Sequence, residues 1–325
     1  PPCKCHVLNY LACAWSNTEL FALGMFRLIH LSDVHLGPMP PVRRRQLMSK
    51  RITGYVNWRR NRIATHQPEV LIRLLEDAQA READHMVVTG DLINLGLDAE
   101  IAAAREWLEV LGPPGNVTVV CGNHDAYVPG ALSRALAVWQ PWFAGDDGRE
   151  IGGPGDYPIL RRRGGISIIG CNSARASLPF LATGYFRGSQ ARRLAALLDQ
   201  EGRLGQSRVV LIHHPPVASA AAAHKRLNGQ SLFREAIAEH GAELVLHGHT
   251  HVDSVHHIPG PGRSVAVVGV PSGAQAPMER VRKPAARYNV FEIEGESGAW
   301  HVRMREYGYQ GHNGGISLVA EATIL

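Results

Sequence analysis

The chain has 325 residues, 45% of them hydrophobic and 19% charged, with a formal net charge of +5. That length suits one large α/β domain or two small ones. No apolar run approaches the ~18–20 residues that cross a bilayer, so a soluble protein with a sizeable core is expected.

Residues 1–24 carry Cys3, Cys5 and Cys13, three of the five cysteines. Lys4 alone makes a poor basic start, and the stretch lacks the long apolar core and small-residue cleavage site of a secretory leader. Residues 1–24 are therefore expected to be a non-native or disordered extension outside the fold. The alternative is a Cys3/Cys5/His6 metal tract, for which no second half-site of matching spacing follows. Cys121 and Cys171 end apolar, strand-like runs and are expected as buried thiols. Nothing demands disulfides, so a cytoplasmic setting is expected.

From Met25 onward, apolar runs alternate with amphipathic stretches. Strands are predicted at 27–32, 85–89, 117–121, 166–171, 209–212 and 244–247. Helices are predicted at 69–83, 99–111, 189–201 (with Ser189 as N-cap) and 231–240. Strands at 265–270, 288–293 and 300–307 make the end of the chain strand-rich, and 311–325 is left as a tail. The fold expected is a four-layer α/β sandwich, with two mixed sheets face to face, helices outside and a metal site at the strand C-terminal ends.

Five motifs follow predicted strands: Asp33-Val34-His35, Gly90-Asp91, Gly122-Asn123-His124-Asp125, His213-His214-Pro215 and Gly248-His249-Thr250-His251. Ligand sites in open α/β sheets gather outside the carboxyl ends of strands. A scatter of surface histidines would not fall there five times. Taken singly, each motif has a plain structural reading. Asp33 suits a turn beside a surface histidine, Asp91 a loop cap, and Gly122-Asn123 a turn followed by a polar cap. Together they offer two carboxylates, one amide and four imidazoles, a full set for two divalent ions. Asp91 has an oxygen for each ion, and Gly90 lets the backbone approach closely. His213 is the expected ligand of its pair, while His214 packs or contacts substrate. His124 is the spare imidazole for proton transfer. Ligation by oxygen and nitrogen without thiolate suits Mn²⁺, Fe or Zn²⁺. Histidines 30, 66, 85, 224, 240, 247, 256, 257, 301 and 312 lack such partners and read as structural or surface groups.

The ordered set Asp-X-His, Gly-Asp, Gly-Asn-His-Asp, His-X-Pro, Gly-His-X-His resembles the calcineurin-like metallophosphoesterase superfamily, with coverage from about Met25 to about Tyr307. The resemblance implies one ion on Asp33, His35, Asp91 and His251. It implies a second on Asp91, Asn123, His213 and His249, with His124 near the leaving group. The stretch from Gly184 to Gln190, followed by a helix, is similar to the class III cyclic-nucleotide phosphodiesterases and glycerophosphodiesterases. The expected function is metal-dependent hydrolysis of a phosphodiester, with a 3',5'-cyclic nucleotide as one candidate, by attack of a hydroxide bridging the two ions. Rival readings are a phosphomonoesterase, a lipid-linked phosphodiester or pyrophosphate hydrolase, a DNA nuclease and a non-catalytic scaffold. His124 stands where the lipid A precursor pyrophosphatases resemble Gly-Asn-Arg-Asp, which counts against that group.

Charge is local. Residues 34–68 hold Arg43, Arg44, Arg45, Lys50, Arg51, Arg59, Arg60 and Arg62 without one acid. The rest of the chain is therefore net acidic. Residues 38–66 are expected to form a basic helical insertion with three open uses. It is a solvated cover, a cap whose Arg59 and Arg60 (with His214) meet an anionic substrate, or an amphipathic contact through 43–62 with an anionic membrane. The partner expected is an anionic phosphoester. No obligate protein partner is evident, and nucleic acid is not expected.

Overall fold

A computed structural model describes residues 24–278, 283–310 and 314–325. The expectations for the first 23 residues, including the Cys3/Cys5/His6 tract, lie outside the described residues. Strand β1 (Phe26–Leu31) sits at the centre of the first six-stranded sheet. Parallel to it run β2 (His85–Val88) and then β3 (Val117–Val119). On its other side β12 (Arg287–Glu294), β13 (His301–Tyr309) and β14 (Ile316–Thr323) pair in antiparallel succession.

The second sheet has a parallel centre of β5 (Ile166–Gly170), β7 (Ser207–Leu211), β9 (Leu244–His247) and β11 (Ser264–Gly269). Antiparallel edges are β10 (Ser254–Pro259) and β4 (Ile159–Arg163). A short parallel pair, β6 (Gly184–Tyr185) and β8 (Leu227–Asn228), stands apart.

The inner faces of the two sheets meet over Leu28, Val87, Ile168, Leu211, Leu246 and Phe291, all fully buried. The outer face of the first sheet is covered by α3 (Pro68–Gln79), α4 (Asp98–Leu111) and α5 (Ala131–Phe143). The outer face of the second is covered by α6 (Gly188–Arg203) and α7 (Gln230–His240). These are the four layers expected. The order follows from the apolar pattern. Val70, Leu71, Leu74, Leu75 and Ala78 make one buried stripe on α3, while β2 and β5 are buried on both faces and read as unbroken apolar runs.

Four departures from the expected elements bear on how the layers are built. Within the stretch read as a tail, Ile316–Thr323 forms β14, which extends the first sheet along β13. Ser189 lies inside the first turn of α6, and Arg187 takes the N-cap position. Helix α5 has Pro141 in its last turn, which blurs its periodicity. Strand β4 is hidden in an arginine run. Arg161 is buried there by bonding the carbonyls of Val117 and Ala144, both at 2.7 Å.

The basic insertion is a broken helix from Arg51 to Thr65. It comprises α1 (Arg51–Asn57), a π-helical turn (Trp58–Arg62) and α2 (Ile63–Thr65). None of its residues is fully buried. Arg51 fastens it by donating to the carbonyls of Leu95 (2.9 Å) and Gly96 (2.6 Å).

Candidate metal centre and active site

The five motifs leave the ends of β1, β2, β3, β7 and β9 and converge in one basin. Backbone bonds lock the first two loops together, Asp33 N to Gly90 O (3.0 Å) and His35 N to Asp91 O (3.0 Å). Five residues of the expected ligand set hold left-handed backbone: Asp33 (φ 53), His35 (φ 41), Asp91 (φ 58), His249 (φ 71) and His251 (φ 58). Such a conformation costs about 1–3 kcal/mol per residue and gathers at functional sites. Two motif glycines make room for the carboxylates. A Cβ on Gly122 would lie 2.1 Å from Asp91 Oδ1, and one on Gly248 would lie 2.5 Å from Asp33 Oδ2.

Distances divide the basin into two halves that share Asp91. In one, Asp33 Oδ1 lies 3.1 Å from His251 Nε2 and 3.9 Å from His35 Nε2, which is itself 3.8 Å from Asp91 Oδ2. In the other, His213 Nε2 lies 3.4 Å from that same Asp91 oxygen and 3.3 Å from Asn123 Oδ1. The His249 ring is 5.1 Å from that of His213.

Tautomers follow from the outer nitrogens. His213 Nδ1 donates to Thr89 O (2.6 Å) and His249 Nε2 to Lys225 O (2.9 Å), while His35 Nδ1 lies 3.2 Å from both Ile93 O and Arg62 Nη1. A carbonyl only accepts, so the first two nitrogens bear protons, and in the neutral ring the opposite nitrogen carries a lone pair. Carbonyls behind ligating histidines commonly fix rings in this way. Asp33 Oδ1 and His35 Nε2 are shielded from solvent and have no hydrogen bond of proper geometry. Buried bare acceptors facing one another are what divalent cations satisfy, so these residues fit a dinuclear site. Burial opposes the charge on Asp33, but His251, His213 and His35 hold its pKa well below the usual range. Burial also opposes the charge on His213, and Asp91 and Asp33 outweigh it, lifting that pKa to about 9.

Two further carboxylates stiffen the loops. Asp125 accepts from the N–H groups of Gly122 (2.8 Å), Asp91 (2.9 Å) and Leu92 (2.9 Å), tying the second motif to the third. Burial and then Asp91 push its pKa up to about 7. Glu100 accepts from Asn94 (2.9 Å), Leu95 (3.0 Å) and Leu97 (3.0 Å). The loop it shapes presents Asn94 O to His124 Nδ1 at 2.6 Å.

His124 is thus fixed as the Nδ1–H tautomer, with Nε2 accepting from Arg62 Nη2 at 2.9 Å. Arg62 Nη1 donates to Asn94 Oδ1 (2.9 Å) and lies 3.2 Å from His35 Nδ1. Burial, then Arg62, lower the His124 pKa to about 3. The ring stacks on Tyr127 at 5.3 Å, and Lys50 Nζ sits 4.6 Å from the tyrosine ring centre. A cleft of about 740 Å³ opens over the basin, lined by Lys50, Trp58, Arg60, Arg62, Lys225 and Lys283 among others.

The structure brings Asp33, His35, Asp91, Asn123, His213, His249, His251 and His124 together. It does not do so for all the expected substrate contacts. His214 is fully buried, its nitrogens engaged by Ser173 Oγ (2.8 Å) and Ala182 O (3.2 Å), so it packs the loop and does not line the cleft. Arg60 lines the cleft, whereas Arg59 is exposed and does not. Arg62 was expected only as part of the basic cluster, yet it is the cap cation that reaches His124. It is the last residue of the π-helical turn.

Residues 26–253 match the family model described as calcineurin-like phosphoesterase. The chain belongs to that family. A Synechococcus sp. protein described as a "probable cyclic nucleotide phosphodiesterase" is 30% identical over 177 residues, which span 53% of this chain and 59% of that relative. A dimetal phosphatase from Danio rerio superposes with a TM-score of 0.52 at 14% identity, covering 93% of this chain and 99% of its own. A purple acid phosphatase from yellow lupin (Lupinus luteus) gives 0.56 at 11% identity, covering 93% of this chain and 54% of its own. At those identities the two structures share the fold.

Proposed function

We propose that this phosphoesterase cleaves a phosphodiester, with cyclic nucleotides among its candidate substrates. The observation that carries the reading is the cleft, which has far more room than one phosphate needs. Arg62, Arg60, Lys50 and Lys225 line it with positive charge, and Trp58, Tyr127 and Phe180 add apolar surface for a second ester group. The similarity to the Synechococcus protein supports the same class.

Two divalent ions on the seven ligands would neutralise phosphoryl oxygens and activate water for in-line attack. The residues around them do the rest. The Arg62 guanidinium matches a pair of phosphoryl oxygens, and an incoming phosphate competes with His124 for it. His124 keeps its Nδ1 proton on Asn94 O and has a lone pair on Nε2, so Nε2 would first take up the proton that the attacking water gives up and then pass it to the leaving oxygen. General acid help of that kind is worth about 10²–10⁴-fold. Asn94 and Glu100 act by holding that ring in place.

A Mn²⁺-loaded panel of cyclic nucleotides, bis(p-nitrophenyl) phosphate, glycerophosphodiesters, p-nitrophenyl phosphate and DNA tests the reading. Diesters are expected to be preferred; faster turnover of p-nitrophenyl phosphate than of its bis ester would make this a monoesterase.

We also propose that the cap's outer face meets an anionic membrane. Met48, Ile52, Val56 and Ile63 are exposed there beside Arg44, Arg45 and Arg59. Exposed apolar groups among cations suit a lipid interface. A second copy of the chain would set these arginines against their own likeness. No helix among the described residues is long and apolar enough to cross a membrane. Sedimentation with phosphatidylglycerol vesicles is expected to carry the protein down and to fail for the Ile52→Asp, Val56→Asp double variant. A parent protein that stays in the supernatant sinks the idea.

A further inference from the structure

We infer that His66, supplied by the cap, is an additional imidazole ligand of the divalent ion held by His35 and His251. The inference rests on the dinuclear reading of the basin and adds a residue that none of the five motifs contains.

The argument begins with a proton. Thr65 Oγ1 donates to Asn61 O at 2.9 Å, which uses its only hydrogen. The same oxygen lies 2.9 Å from His66 Nδ1 and must therefore accept from it. That fixes His66 as the Nδ1–H tautomer and leaves a lone pair on Nε2. Nε2 is shielded from solvent and has no hydrogen-bond partner among the described residues. His35 Nε2 is left bare in the same way.

Position agrees with this. One ligand nitrogen from each of His35, His66 and His251 lies within 4.8 Å of the others. The His66 ring centre is 5.4 Å from that of His35 and 6.0 Å from that of His251. Metal–nitrogen bonds of about 2.0–2.1 Å bring opposed ligand atoms to about 4.2 Å, so a small contraction closes the group on one ion.

The backbone holds His66 there. It pairs with Gln275, flanked by Gln67 N to Ala274 O (3.1 Å) and Ala276 N to Thr65 O (2.7 Å). The same loop grips Asp33, through Ser272 Oγ to Asp33 O (2.7 Å) and Gly273 N to Ser32 O (2.9 Å). His66 and the first metal ligand are thus set against a common piece of chain. The consequence is that loading of this ion and closure of the cap are linked.

The test compares parent, His66→Gln and Thr65→Val proteins, with Mn²⁺ and Co²⁺ as probes. Metal content by mass spectrometry and competition with a chelator read the affinity of each ion; Co²⁺ absorption reads coordination number. His66→Gln is expected to weaken one of the two ions by at least about 10-fold, leave the other unchanged, and alter the Co²⁺ visible bands. Thr65→Val is expected to weaken the same ion by less, which keeps the test open should the histidine variant fold poorly. A His66→Gln protein with the parent's two affinities and the parent's Co²⁺ spectrum overturns the inference while sparing the dinuclear reading. A parent that takes up only one ion overturns both.

Discussion

The strand-end loops and the cap helix face the same cleft, yet they are held by opposite means. The loops grow out of the core. Asp33 and His213 are fully buried and Asp91 almost so, and Asp125 and Glu100 spend their carboxylates on loop N–H groups. The cap from Arg51 to Thr65 contains no fully buried residue. It hangs on polar contacts: Arg51 to Leu95 O and Gly96 O, Lys50 to Leu181 O (2.9 Å), Arg62 to Asn94 and His124, and the bridge at His66. A segment with few buried apolar contacts is drawn from the low-stability end of a protein. The metal chemistry is therefore placed rigidly, and the charges that greet the substrate ride on the part most easily moved.

The largest expected effect lies wholly on the rigid side. Asp91 serves both halves of the basin, so Asp91→Ala is expected to lose both ions and bring turnover to background, read by metal analysis beside a diester assay. Retention of two ions would mean that the halves do not share this carboxylate.

Next comes the seam between the two regions. His124→Ala is expected to cut kcat by about 10²–10⁴-fold and Arg62→Ala to cut kcat/KM by about 10²-fold, both with full metal content. Because the two side chains are hydrogen-bonded, their double variant is expected to lose less than the product of the single losses. Strict multiplicativity would show that the cap and the loops act independently. A metal lost with His124 would make that ring a ligand, an outcome worth checking because it lies near His35 and Asp91.

The smallest effect separates the regions by acid. Burial first of all lowers the pKa values of His30 and His214 to about 3, and of His247 to about 4, against 6.5 for a free histidine. As pH falls below 6.5 the unfolded chain binds protons that the folded chain refuses, so stability is full above that value and declines beneath it. Each ring contributes at most about 1.4 kcal/mol per pH unit. In the metal-free protein His213 acts in the opposite sense, since its raised pKa stabilises below 6.5 and that gain is lost as pH rises through about 9. His124 and the other buried imidazoles of lowered pKa act with these three, while Asp125, raised to about 7, acts with His213; the lowered imidazoles are the more numerous, so the melting temperature of metal-free protein is expected to fall from pH 7 to pH 5. The cap's arginine contacts do not titrate in that window. A flat profile would mean that these imidazoles are already charged in the fold.

The same division explains what could be read from the sequence. The four layers, and the meeting of the seven expected ligand residues in one basin, were legible because each of those residues follows an apolar run that forms a buried strand. Position along the chain then maps directly onto position in the basin. Arg62 and His66 were not legible in that way. Arg62 lies in a π-helical turn and His66 in a bridge to Gln275, more than two hundred residues away, and neither leaves a local signature. His214 misled in the other direction. It shares a motif with a ligand, but Ser173 and Ala182 claim both its nitrogens. Arg161 shows why β4 escaped notice: an arginine run reads as surface until the carbonyls that bury one of its members are known.

The left-handed backbone at Asp33, His35, Asp91, His249 and His251 also governs how such a centre can decay. Among residues other than glycine, Asn, Asp and His tolerate that conformation best, and β-branched residues tolerate it worst. Replacement by valine or threonine would break the loop together with the ligand, whereas Asn at position 33 or 91 would keep the loop and weaken only the grip on cations. Loss of catalysis along that route would leave an intact shell of the same shape.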